Sequence, residues 1–100
     1  MGKMQREKGA RFERAIVDAA QAYGLEARRT SMTQAAKDSE EADVLVAGRR
    51  VECKHRERLS AELWEWQTGC DFVVLKRNGK EPLAVLPMVK LFEMLKGGTI

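Results

Sequence analysis

Asp43-Val44-Leu45-Val46-Ala47-Gly48-Arg49-Arg50-Val51-Glu52-Cys53-Lys54 is the stretch on which the fold turns. Asp43–Ala47 is an apolar strand run, Gly48-Arg49 supplies a turn, and Arg50–Lys54 reads as a second strand. A connection that short makes the two an antiparallel hairpin. Alternate side chains of a strand share a face, so Glu52 and Lys54 point one way while Val51 and Cys53 point the other.

Outward from this hairpin the chain keeps its rhythm. Upstream, Phe12, Ile16, Ala19, Ala20 and Tyr23 recur at helical spacing within 4–23, and Gly24 is the stop signal. Leu25–Thr30 is a short strand with alternating polarity, and 31–41 is polar, aperiodic and loop-like. Downstream, Leu59–Gln67 reads as a helix with Ser60 as N-cap, Gly69 as the stop, and Leu59, Leu63 and Trp66 on its inner face. Asp71–Lys76 is nearly all apolar, the pattern of a central strand buried on both faces. Asn78-Gly79 makes a turn, Leu83–Leu86 is a strand between Pro82 and Pro87, and Met88, Leu91, Phe92 and Leu95 line a last helix ended by Gly97-Gly98. The order predicts one α/β domain over 1–100, with a central mixed β-sheet flanked by helices.

Composition narrows the functional classes. The 100 residues are 44% hydrophobic and 33% charged, which excludes a wholly disordered chain. A domain of this size keeps a high surface-to-volume ratio, which favours association with a second copy. Eighteen Lys and Arg against fifteen Asp and Glu give +3, mildly favourable to a polyanionic partner. Two cysteines, Cys53 and Cys70, are too few for a disulfide scaffold, and with His55 alone beside them they make a poor zinc site. Both suit apolar core positions. The charged N-terminal segment is unlike a signal peptide, and no stretch approaches the ~20 apolar residues of a membrane span. A cytoplasmic location is expected.

The chemistry lies where the hairpin gathers carboxylates. Asp43 begins one strand within reach of Glu52 on the other, and two neighbouring carboxylates repel unless they share a cation. A hard divalent ion such as Mg²⁺ prefers such oxygen ligands. Asp43, Glu52 and the backbone carbonyl of Cys53 are therefore candidate metal ligands, and Glu13, bordering the buried stripe of the first helix, could complete the set. A metal so held would bind a phosphate oxygen and acidify a coordinated water. Lys54 is placed to orient or deprotonate that water, or to neutralise charge developing on phosphorus. These are the parts of a metal-dependent phosphodiesterase. Arg28, Arg29, Arg49, Arg50, Arg56 and Arg58 form three basic pairs near these residues, suited to phosphate contacts. His55 is expected opposite the site or near the strand end.

Asp43 followed by Glu52-Cys53-Lys54 resembles the signature of the PD-(D/E)xK nuclease superfamily. Lys8-Gly9-Ala10-Arg11-Phe12-Glu13 resembles the start of archaeal Holliday-junction resolvases and their phage relatives, in which a helix-borne glutamate joins the metal site. Arg28-Arg29-Thr30-Ser31 resembles the arginine and serine region ahead of their aspartate, which implies that Ser31 touches the scissile phosphate or orders water. The resemblance implies a restriction-endonuclease-like core and a DNA endonuclease of recombination or repair. It further implies Mg²⁺ dependence, with Mn²⁺ as a substitute, a branched substrate, a homodimer, and a bacterial, archaeal or phage-infected cell. Glu41-Ala42 stands where many members carry a proline. The chain's size is also similar to that of small phage VRR-type nucleases, whose glutamine after the lysine Gln67 could match. Nicking or flap cleavage, and a non-catalytic nucleic-acid-binding module that retains the nuclease fold, are the alternatives. For a dimer interface the sequence points to Trp64, Val85, Met88, Phe92 or Met94.

Overall fold

A computed structural model describes residues 2–30 and 43–98, with side chains from Glu7 onward. Helix α1 spans Gly2–Ala22. Its apolar stripe buries Ile16 and Ala20, with Phe12, Val17, Ala19 and Tyr23 packed around them. The helix ends in a Schellman motif: the Leu25 N–H donates to the Ala20 carbonyl at 3.0 Å and the Gly24 N–H to that of Gln21 at 2.9 Å. Gly24 takes φ +84° there, which a side chain would strain, and Leu25 continues into the core.

Strands β1 (Ala27–Arg29), β2 (Val44–Val46) and β3 (Arg49–Val51) form a three-stranded antiparallel sheet in that order. In β2 the alternation decides the packing. Val44 and Val46 are fully buried under α1, while Leu45 lies on the opposite, open face. Ala47 and Gly48, both with positive φ, form the two-residue turn of the β2–β3 hairpin. That backbone suits the right-handed strand twist and replaces the Gly48-Arg49 turn expected from glycine placement. Arg49 is thereby the first residue of β3, paired with Val46.

The second half comprises α2 (Glu62–Gln67), β4 (Val73–Leu75), β5 (Leu83–Val85) and α3 (Met88–Lys96). The N-cap is Ala61 rather than Ser60, although the Ser60 hydroxyl, one residue earlier, accepts the Glu62 N–H at 3.3 Å. Strands β4 and β5 pair antiparallel with each other, and among the described residues no ladder joins them to the first sheet. The architecture is thus α/β with three helices and two small antiparallel sheets, not the single central mixed sheet expected. The β4 segment is a correction in particular: Val74 is 59% exposed and Phe72 is exposed beside it, because only β5 lies alongside. Leu59 and Trp66, expected on the inner face of α2, are also exposed; Leu63 and Gln67 are the half-buried positions of that helix.

Helix α3 crosses back to the first half. Phe92 is buried in its core, with its ring edge-on to Tyr23 at 6.0 Å, and Leu95 packs beside it. Phe92 is therefore spent inside the chain and is withdrawn from the expected dimer interface, where Trp64 and Met88 are exposed and Val85 and Met94 half-buried. Among the described residues no helix is long and apolar enough to cross a membrane.

Candidate active site

The register of the first sheet assembles the site. Arg28, Leu45 and Arg50 are partners across the three strands, as are Arg29, Val44 and Val51. One further step of the same register, beyond the paired residues, would set Glu52 opposite Asp43, whose carbonyl accepts the Thr30 N–H. By alternation, the rows of Arg28–Leu45–Arg50 and Thr30–Asp43–Glu52 share the open face, about 7 Å apart along the strands. Asp43 is fixed from both sides. Its carbonyl accepts the Thr30 N–H at 3.1 Å and the Thr30 hydroxyl at 3.2 Å, and its Oδ2 accepts the Cys53 N–H at 2.8 Å.

Glu52 and Lys54 alternate outward as expected, each about 60% exposed, and form an ion pair with Nζ–Oε2 3.2 Å. Val51 and Cys53 turn toward the core. The Cys53 thiol is pushed up to about 11, first by burial and then by the negative charge of Asp43, Glu13 and Glu52. All three candidate carboxylates thus act on one half-buried sulfur, which remains a neutral thiol through the physiological range.

Glu13 arrives from α1, on the core side of the sheet. Its Oε1 accepts from Arg29 Nε and lies equally close to Nη2, both at 3.0 Å. The two side chains are only 20% and 23% exposed, much less than Glu52 and Lys54. Arg29 is on the core-facing row of β1, so the structure gives it a carboxylate partner and separates it from the open-face arginines. This pair was missed from sequence although both halves of its signal were present: Glu13 borders the buried stripe of α1, and Arg29 alternates inward with Ala27. His55 follows the end of β3, and its ring packs against Phe12, the neighbour of Glu13 on the core side, at 5.2 Å and a 53° tilt.

The remaining expected residues fall in three places. Arg49, Arg50, Arg56 and Arg58 are exposed, as is Arg28, and Arg49 also reaches the Ala47 carbonyl at 3.3 Å. Gln67 donates from Nε2 to the Val85 carbonyl at 2.6 Å, tying α2 to β5, and its Oε1 is buried with no hydrogen-bond partner among the described residues. Ser31 lies outside the described residues.

The donor set matches a hard divalent cation in kind: three carboxylates and a backbone carbonyl, with accumulated negative charge registered by Cys53. Its geometry is open. Among the described residues no three His, Cys, Asp or Glu side chains are gathered closely enough to hold one ion. Glu13 is engaged by Arg29, Glu52 by Lys54, and one oxygen of Asp43 by the Cys53 N–H. Comparison of the chain with protein-family models, curated proteins and solved structures finds no match.

Proposed function

We infer that this chain is a divalent-metal-dependent DNA endonuclease, with the restriction-endonuclease-like arrangement as its structural basis and a branched, junction-like substrate leading. The observation that carries the reading is the open face of the first sheet. Asp43 and Glu52 stand in line at the end of one hairpin, with Lys54 beside Glu52, and a basic row of Arg28 and Arg50 lies two residues further along the strands. A polyanion laid along the arginines brings a phosphate toward the carboxylates.

Asp43, Glu52 and the Cys53 carbonyl are the residues that would hold Mg²⁺ or Mn²⁺, while Glu13 stands on the core side engaged by Arg29. When bound, such an ion offsets phosphate charge and lowers the pKa of a water. The chain's own groups supply the rest. The Cys53 N–H holds one Asp43 oxygen and so fixes the direction of the other. Arg28 and Arg50 seat phosphates flanking the scissile one. Lys54 exchanges its contact with Glu52 for the attacking water or the phosphate, where its charge opposes the negative charge that develops. A homodimer, offering two sites to a symmetric junction, belongs to the same reading.

The exposed pairing of Glu52 with Lys54 and the open geometry of the carboxylates favour a second reading, a nucleic-acid-binding module without catalysis. Labelled four-way junction, flap, nicked and linear duplex DNA, incubated with Mg²⁺, Mn²⁺ or EDTA, separate the two. Paired symmetric cuts in the junction, absent in EDTA and in Glu52→Gln and Lys54→Ala, are expected. Equal cutting of every substrate removes the junction preference and keeps the chemistry. DNA binding without cleavage under any condition establishes the module instead.

A further inference from the structure

We propose that the tip of the β4–β5 hairpin is a second nucleic-acid contact, seating the sugar–phosphate backbone of a DNA strand on Lys76, Arg77 and Lys80. This deepens the endonuclease reading and rests on it. The register of the two strands builds the tip. Val73, Val74 and Leu75 pair with Val85, Ala84 and Leu83, so Leu75 and Leu83 stand opposite each other on one face. Beyond them the chain reverses in a turn closed by the Lys80 N–H on the Arg77 carbonyl at 3.0 Å. Gly79, third of the four turn residues, takes φ +79°, which glycine adopts without strain. Arg77 and Lys80 are the first and last residues of that turn, which keeps their Cα atoms within about 7 Å of each other.

The turn gathers charge around a hydrocarbon floor. Leu75, Lys76, Arg77, Lys80, Glu81 and Leu83 line one open concavity of about 550 Å³, with three cations against one carboxylate. All three cations are exposed, and among the described residues none of them has a carboxylate partner, whereas Arg29, Lys54 and Lys90 are each paired. Lys76 reaches only the neighbouring Arg77 carbonyl, at 3.4 Å. A nucleic-acid strand matches this surface in both respects. Its phosphates are anions that Lys and Arg neutralise with release of counterions, and the sugars between them present C–H edges to Leu75 and Leu83. An anionic lipid surface shares the charge but requires the reverse order along the hairpin. A hairpin entering a bilayer leads with apolar side chains and keeps its cations behind them; here Arg77, Asn78 and Lys80 lead, and Leu75 and Leu83 follow.

Lysine footprinting reads the contact directly. The full chain is acetylated by an N-hydroxysuccinimide ester alone, with a short duplex in EDTA, and with vesicles of phosphatidylcholine and phosphatidylserine. Each lysine is then quantified by mass spectrometry. The duplex is expected to shield Lys76 and Lys80 severalfold, while exposed Lys96 at the end of α3 keeps its reactivity. Salt titration of duplex binding gives a second readout. Lys80→Gln should lower the slope of log affinity against log salt by about 1, and Arg77→Gln/Lys80→Gln by about 2. Lys96→Gln removes the same single charge as Lys80→Gln and should leave the slope unchanged. These substitutions cut exposed side chains only, and the turn is closed by backbone groups, so the fold is kept.

Lys76 and Lys80 as reactive with duplex as without it, or an equal loss of slope in Lys96→Gln and Lys80→Gln, overturns the hairpin contact. Shielding by the vesicles and not by the duplex also overturns it, in favour of a membrane surface. None of these results touches the endonuclease reading, which cleavage of the junction decides. Shielding by duplex in a protein that cuts no substrate keeps the contact and overturns the enzyme.

Discussion

The two halves of this molecule spend their apolar residues differently. Helix α1 and the first sheet bury Ile16, Ala20, Leu25, Val44 and Val46 against one another, and every candidate carboxylate hangs from that block. The segment from α2 to α3 carries Trp64, Trp66, Phe72, Val74, Leu83, Met88 and Val89, and all of them are exposed. Its single fully buried residue among those described is Phe92, which lies in the other half's core. Hydrophobic content therefore does not place a core. The first half succeeds because periodicities of 3.6 and 2 present matching stripes; in the second, β4 and β5 are apolar on both faces and two strands alone can cover neither.

The largest effect expected from this contrast is at the residue that bridges the halves. Phe92→Ala removes a buried ring and should cost about 3–5 kcal/mol, a large share of the ~5–15 kcal/mol typical of a domain. Urea unfolding measures it, and a cost near that of a surface substitution would show that the halves do not share a core. Next is Asp43, where structure and chemistry can be separated. Asp43→Ala leaves the Cys53 N–H without its acceptor and should cost about 1–3 kcal/mol, whereas Asp43→Asn retains an acceptor oxygen and most of the stability. Loss of Mg²⁺-dependent DNA cleavage in both variants, with folding lost in only one, would assign the carboxylate its chemical role.

Smaller again is the response of the uncovered half. Trp64→Ser and Val74→Thr should change the stability of the monomer by no more than ~0.5 kcal/mol, since neither leaves a cavity. Measured at several protein concentrations, a larger loss that grows with concentration would show that a second copy covers these side chains. The cysteines offer a reagent-based version of the comparison. Cys53, raised to about 11 and half-buried in the first half, should be alkylated by iodoacetamide far more slowly at pH 8 than exposed Cys70. Its folded pKa lies above the ordinary value of 9.0, so the contribution of this thiol to stability is complete below pH 9 and is lost as the pH rises toward 11.

How much of this was legible in the sequence follows the same division. The hairpin of Asp43–Lys54, the outward turn of Glu52 and Lys54, and the stripe of α1 were readable because each depends on neighbours within a few residues. The Ala47-Gly48 turn was displaced by one position because Ala47 adopts a positive φ that glycine-based reasoning assigns elsewhere. The single central sheet was not found because an apolar run such as Phe72–Leu75 states that both faces can be buried, not which strand lies alongside. Among the site residues, the facing of Arg29 was not legible for a similar reason. A strand's alternation gives its facing only once the neighbouring helix is known, and only then does its link to Glu13 emerge.

The smallest expected effect tests how the second half is tethered. Lys90 of α3 donates to Asp71, just ahead of β4, at 2.6 Å across an exposed surface. The bond and the Lys90 charge hold the Asp71 carboxyl below its ordinary value, and the same bond lifts the Lys90 ammonium above its own. For Asp71 the contribution is present above the unfolded pKa of about 4 and is lost as the pH falls through the depressed folded value. For Lys90 it is complete below about 10.4 and is lost as the pH rises through the raised folded value. Both groups remain charged through the neutral range, so Asp71→Asn should give a pH profile of stability that differs from the wild type there by a small constant and converges with it at the acid end. Salt should shrink that constant, because solvent screens an exposed pair. Hydrogen exchange supplies the local readout: amides of β4 and β5 should exchange faster in Asp71→Asn while those of β2 keep their protection. Equal acceleration in both sheets would mean that the halves open as one unit, and the contrast between them would then describe packing alone.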